Sequence, residues 1–208
     1  EMFLEAVNYP DVVGLVIGTR PDCINPTIID MLSEISKKYF VALEFGVESS
    51  LNRTLKLINR CHSFEETIDS YKLASNKGLH LGAHIIINLP GESREDMINH
   101  AKELSKLPIH TLKIHQLQIV KHTVMASQYN ENKQMFNLMD VPEYVEFIAE
   151  FISHLRPDII IERFISESPK HLLIAPVWNG IKKFEIVNKI DEKLIEKDLW
   201  QGKYYLNQ

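Results

Sequence analysis

Short apolar runs of strand length, separated by intervals that each leave room for a helix, set the tightest limit on how this chain can fold. Val12–Gly18, Phe40–Gly46 and Leu81–Ile87 are near-continuous apolar runs, and Thr111–His115 is a more polar fourth. Runs of this kind are expected where a strand is covered on both faces, as in a parallel sheet. Their starts, near residues 12, 40, 80 and 110, leave crossovers of roughly 20 to 30 residues, enough for one helix each time. Repeated βα units imply an α/β fold with a parallel sheet, open or curled into a barrel.

The intervals carry helix signals. Asn25-Pro26 is a cap residue followed by proline at the first helical position, and Ile28, Leu32 and Ile35 share one face. Ser63 and Glu66 have capping-box spacing, with Ile68, Tyr71 and Ala74 continuing a helix towards Gly78 as its C′ residue. Ser93 starts another, with Met97, Ile98, Ala101 and Leu104 as its buried stripe. Residues 119–139 are polar and Met-rich and read as a long loop with one helical turn. Asp140 and Glu143 then open a helix to about His154, ended by Pro157, and Ile159–Ile161 reads as a fifth short strand. Lys182–Lys197 alternates charged and apolar positions, as a helix with a solvated face does.

Composition narrows the classes. The 208 residues carry 23 Lys plus Arg against 28 Asp plus Glu, a net charge of −5, which gives no support to a strongly basic nucleic-acid surface. No apolar run approaches the roughly 20 residues of a membrane-spanning helix. Two cysteines, Cys23 and Cys61, cannot make a disulfide framework and point to a reducing, cytoplasmic setting. They lie 38 positions apart, which is not a zinc spacing. The chain opens inside what reads as a running helix, Glu1 to Val7, which points to a piece of a longer protein.

In parallel βα folds the reactive groups gather at the carboxyl ends of strands. That rule selects Arg20 and Asp22 after the first run, Glu48 and Ser49 after the second, Asn88–Glu92 after the third, and His115–Leu117 after the fourth. Glu44, His84 and His115 are polar residues inside apolar strands, costly to bury unless paired. Phosphate-loop and dinucleotide fingerprints are absent. Taken alone, Glu44, His84 and His115 also allow a metal-dependent hydrolase with the three as ligands around an activated water. A non-catalytic binding module that uses the same crevice is a further alternative.

Four segments in order resemble one known group. Thr19-Arg20-Pro21-Asp22, Glu44-Phe45-Gly46-Val47-Glu48-Ser49, Asn59-Arg60-Cys61-His62 and the stretch from His84 to Glu92 resemble motifs of the radical S-adenosylmethionine (SAM) enzymes related to the Elongator catalytic subunit. Lys113-Ile114-His115 and Leu117 are similar to that group's sixth strand. Ala175-Pro176-Val177-Trp178 and Trp200-Gln201-Gly202 resemble an uncharacterised bacterial subfamily of Fe-S oxidoreductase type. The resemblance implies a partial parallel (βα)6 TIM-like barrel, of which this chain would hold strands three to six plus a C-terminal α/β extension. Residues 1–120 would be the core and 121–208 an extension packed on the same domain.

The same resemblance implies a chemistry. A reduced [4Fe-4S] cluster, fed by an electron donor, cleaves SAM to methionine and a 5′-deoxyadenosyl radical, which abstracts hydrogen from a substrate. Glu48 and Ser49 would sit at the SAM ribose and Arg60 at its carboxylate, where a planar guanidinium suits the partner. Ile86 and Leu117 would flank adenine. Arg20, Asp22, His84, Lys113 and His115 would face the substrate; the alternative for Arg20 and Asp22 is an internal ion pair that holds the loop. The Elongator relatives modify transfer RNA, so RNA enters as a candidate substrate. The three cysteines that hold the cluster have no counterpart here, so the cluster segment is expected before Glu1, the fragment alone is expected to be inactive, and no metal ligand is assigned in this chain. Asn88 stands where the group has glycine; asparagine tolerates the left-handed backbone that such a turn needs.

Overall fold

The computed structural model describes residues 2–178 and 180–205. In chain order the elements are α1 (Met2–Val7), β1 (Gly14–Thr19), α2 (Pro26–Ser36), β2 (Phe40–Glu48), α3 (Asn52–Leu57), α4 (Phe64–Ala74), β3 (His80–Ile87), α5 (Arg94–Ser105), β4 (Thr111–Gln116), β5 (Ile119–Val120), α6 (Val124–Glu131), α7 (Val141–Ser153), β6 (Ile160–Arg163), β7 (Leu173–Ala175) and α8 (Lys183–Glu196). Five strands form one parallel sheet in the order β1-β2-β3-β4-β6, and β5 and β7 pair antiparallel. All four expected strands are present, and the short fifth one joins the same sheet as β6.

The helix starts follow the local chemistry. The Asn25 side chain accepts from the Ile28 amide at 3.0 Å with Pro26 at the first helical position. Ser63, Ser93 and Asp140 each complete a reciprocal capping box with the acidic residue three positions on. The helix from Ser63 stops at Ala74 and not at Gly78. Ser75 turns extended and Asn76 takes a left-handed φ of 58°, so the turn comes two residues before the glycine.

Two further expectations are corrected. Residues 119–139 are no single loop: the Thr123 hydroxyl accepts from the Ala126 amide at 3.1 Å and caps the eight-residue α6, while β5 pairs with β7. Nor is the first apolar run covered on both faces. The strand starts two residues later, at Gly14, β1 ends the sheet, and Val16 is 65% exposed.

The chain divides into two compact units, Glu1–Ile85 with Leu107–Leu112, and Ile86–Lys106 with Lys113–Gln208. In the first, Phe45 and Tyr71 meet edge to face at 4.9 Å, and the Tyr71 hydroxyl donates to the Gly82 carbonyl at 2.7 Å. Gly82 sits in tight quarters there: a Cβ would stand 3.0 Å from both Glu44 Cγ and Thr111 Oγ1, so that neighbours would have to give by a few tenths of an ångström. In the second, Tyr144, Phe147, Ile148 and Phe151 of α7 are fully buried, and α8 buries Ile186 and Ile190 while its other face stays solvated.

Candidate functional site

The carboxyl end of β2 is shaped by a backbone irregularity. The β2–β3 register shifts between Gly46 and Glu48, and Glu48 takes a left-handed φ of 62°, an uncommon conformation for a residue with a Cβ. The bulge brings the Glu48 carboxylate to 3.4 Å from Arg60 Nη2, and the same nitrogen donates to the Gly46 carbonyl at 2.9 Å. Gly46 leaves both side chains where they are: a Cβ there would lie 2.6 Å from Glu48 Oε1 and 2.9 Å from Arg60 Nη2, and their ends would have to shift. Arg60 Nε is buried with no hydrogen-bond partner, so the guanidinium keeps a donor in hand.

Burial pushes the Glu48 carboxyl above its ordinary value of 4.5, opposed by the charges of Arg60 and His84. A carboxyl raised by folding favours the folded state below pH 4.5, and that contribution is lost as pH climbs through the raised value. Backbone strain and a desolvated carboxylate in one place are features that cluster at functional sites.

Ser49 is fully buried, and its hydroxyl accepts from the Leu51 amide at 3.1 Å, which turns the chain into α3. At the end of β1, Arg20 and Asp22 form a two-point ion pair at 2.9 and 2.7 Å, and the bond from Arg20 is the main reason the Asp22 carboxyl sits below its ordinary range. The internal pairing is thus present. His62, which sequence reasoning quoted but did not place in the site, is buried beside it. Neither ring nitrogen has a hydrogen-bond partner, and Nδ1 lies 3.9 Å from Asp22 Oδ1. Burial, then the Arg60 charge, lower its pKa, opposed by the Asp22 and Glu66 charges. Glu44 and His84, also in the first unit, are bonded at 2.8 Å across β2 and β3.

In the second unit, Ile86 is half-buried on β3. Leu117 is buried, and its amide donates to the Ile87 carbonyl at 2.9 Å. Lys113 and His115, both half-buried, share one face of β4 by the two-residue period of a strand, and Lys113 pairs with Glu162 at 3.3 Å. Asn88 takes the left-handed φ of 71° that its turn needs and donates to the Asn137 carbonyl at 2.7 Å. Glu92 bonds His100 of α5 at 3.1 Å, with both side chains fully buried. That contact was not foreseen, because the eight-residue spacing joins a turn to a helix by tertiary packing.

The metal-hydrolase alternative does not fit this geometry. Among the described residues no three His, Cys, Asp or Glu side chains are grouped as a metal ion requires, and Glu44 and His84 bond each other. The same observation applies to a [4Fe-4S] cluster: Cys23 and Cys61 are exposed free thiols, and the sequence contains no third. Arg60 holds a buried donor without a hydrogen-bond partner, on a guanidinium of the type that binds a carboxylate such as that of SAM. No helix among the described residues is long and apolar enough to cross a membrane.

A radical SAM superfamily model matches residues 2–104, and the model of the radical SAM C-terminal domain matches residues 109–196. The chain belongs to the radical SAM superfamily. It is 32% identical to the uncharacterized protein YtqA of Bacillus subtilis over 205 residues, 99% of this chain and 63% of that one. It is 25% identical to Elongator complex protein 3 of Homo sapiens over 185 residues, 85% of this chain and 33% of that one. The archaeal Elp3 of Methanocaldococcus infernus, with an N-terminal deletion, shares the fold at a TM-score of 0.77 and 24% identity, over 91% of this chain and 43% of that one. The chain spans 57–63% of the length of curated relatives that it matches at 32–33% identity.

Proposed function

We propose that this chain is the SAM-holding, carboxyl-terminal portion of a cytoplasmic radical SAM enzyme, whose cluster-binding cysteines lie outside these 208 residues. When bound, the [4Fe-4S] cluster and SAM supply reductive cleavage of the sulfonium, with an external electron donor, and hydrogen abstraction from a substrate. This chain's residues bind and orient. Arg60 takes the SAM carboxylate, offering the donor that is now buried and unused, and Glu48 accepts from the ribose hydroxyls. Ser49 fixes the turn that carries Glu48. In the second unit, Ile86 offers an apolar wall and Leu117 its backbone groups, both suited to adenine. Arg20, Asp22, His84, Lys113 and His115 are the substrate-facing candidates. Because Arg20 and Lys113 are already ion-paired, an anionic substrate would displace Asp22 or Glu162 to reach them.

The observation that carries this reading is the Glu48–Arg60 pair on the bulged end of β2, with Gly46 leaving space for both. Calorimetry of the 208-residue chain with SAM is expected to give weak or undetectable binding, because the cluster that would hold the SAM amino and carboxylate groups is missing. Micromolar affinity from this chain alone would contradict that division of labour.

A further inference from the structure

The second unit contains a cavity of about 460 Å³, within the size range of small-molecule sites. One wall is the carboxyl end of β4 with the residues after it; the facing wall follows β6. Open α/β sheets bind ligands at the carboxyl ends of their strands. The walls are fixed in advance. Gln116 donates to the Ser166 carbonyl at 2.7 Å and accepts from the Ser166 amide at 2.9 Å, while the Ser168 hydroxyl donates to Gln118 Oε1 at 2.7 Å. The two glutamines thereby satisfy the polar groups of the facing segment and leave its apolar side chains to line the space.

Those apolar surfaces are Ile165, Leu173, Ile186 and the indole of Trp178. Trp178 is anchored twice, through Nε1 to the Met139 carbonyl at 3.1 Å and by ring contact with Tyr144 at 5.0 Å. A held indole presents a flat, polarizable face suited to stacking. Glu167 and Lys170 stand at the rim. Glu167 is paired with Lys183 at 3.2 Å, whereas no ion pair is recorded for Lys170 among the described residues. Flat apolar walls, a pre-set indole and one unpaired cation define the complement of a planar aromatic anion.

We infer that this cavity is a binding site for a small planar aromatic anion. The inference goes beyond the SAM reading and needs neither cluster nor radical, so a failed SAM assay leaves it standing and its own failure leaves the SAM reading standing.

The test uses 8-anilinonaphthalene-1-sulfonate and its uncharged counterpart N-phenyl-1-naphthylamine. The chain has two tryptophans, so Trp200→Phe leaves Trp178 as the sole indole. In that background the sulfonate is expected to quench Trp178 saturably at one site and to bind about fivefold tighter than the neutral dye, the size of one exposed ionic contact. Lys170→Gln should erase that preference. Ile181→Glu, which places a carboxylate on the half-buried wall, should weaken sulfonate binding about tenfold with the thermal midpoint unchanged. Should Ile181→Glu fail to fold, the exposed Lys170→Gln decides alone. Non-saturating quenching, equal affinity for the two dyes, or a preference that survives Lys170→Gln would overturn the assignment.

Discussion

Arg60→Ala is expected to lower SAM cleavage by the cluster-loaded parent protein about a hundredfold, with its iron content unchanged. The guanidinium is held by the Gly46 carbonyl at 2.9 Å and by Glu48 at 3.4 Å, and its Nε is buried without a partner. A charge-assisted contact of about 2–3 kcal/mol corresponds to a factor of roughly 30 to 150. Lysine should not rescue, because a point charge cannot satisfy a carboxylate and the Gly46 carbonyl with one planar fork. Gly46→Ala should reproduce much of the loss without touching either charged residue, since its Cβ would displace both side chains. The readout is methionine and 5′-deoxyadenosine formed per turnover. Wild-type rates in Arg60→Ala would remove Arg60 from the SAM contacts.

The second large effect is on stability and lies far from that chemistry. His100→Ala is expected to cost about 3–5 kcal/mol of folding free energy, because it breaks a fully buried pair by removing the imidazole that the Glu92 carboxylate bonds at 3.1 Å. Exposure decides the size: both side chains are 0% exposed. Arg94 and Glu150 on the surface also form an ion pair, yet their side chains are 48% and 38% exposed, so Arg94→Ala should cost less than about 1 kcal/mol. Urea unfolding of the two variants separates the cases, and a His100→Ala cost below that of Arg94→Ala would contradict the buried-pair account. Glu92, quoted in the sequence as part of a family motif, is on this view the anchor of the turn from Asn88 to Gly91.

Features set by neighbouring residues were legible in the sequence. The capping boxes at Ser63, Ser93 and Asp140 follow from a side chain meeting an amide three positions on, and the left-handed Asn88 from what its side chain tolerates. β2 and β3 were legible because burial writes near-continuous apolar runs, whereas β1 carries such a run at the edge of the sheet with Val16 exposed. What needed the structure is what tertiary packing decides. Thr123 caps α6, but Ala126 is that helix's single buried residue, so no apolar stripe announced it. β5 and β7 are too short, at two and three residues, to show a period. In the site, the strand-end rule flagged Glu48 and the family resemblance flagged Arg60. The bulge that brings them together, the unpartnered ring of His62 and the Glu92–His100 pair depend on backbone register and depth, which a linear string does not carry.

The most direct test of the central claim is an iron and turnover count on the whole parent protein after anaerobic reconstitution. About four irons per chain and reductant-dependent formation of 5′-deoxyadenosine from SAM are expected, on the family chemistry of one cluster and one open site. A parent protein that binds no iron, or that loads a cluster and leaves SAM intact under reduction, would contradict it.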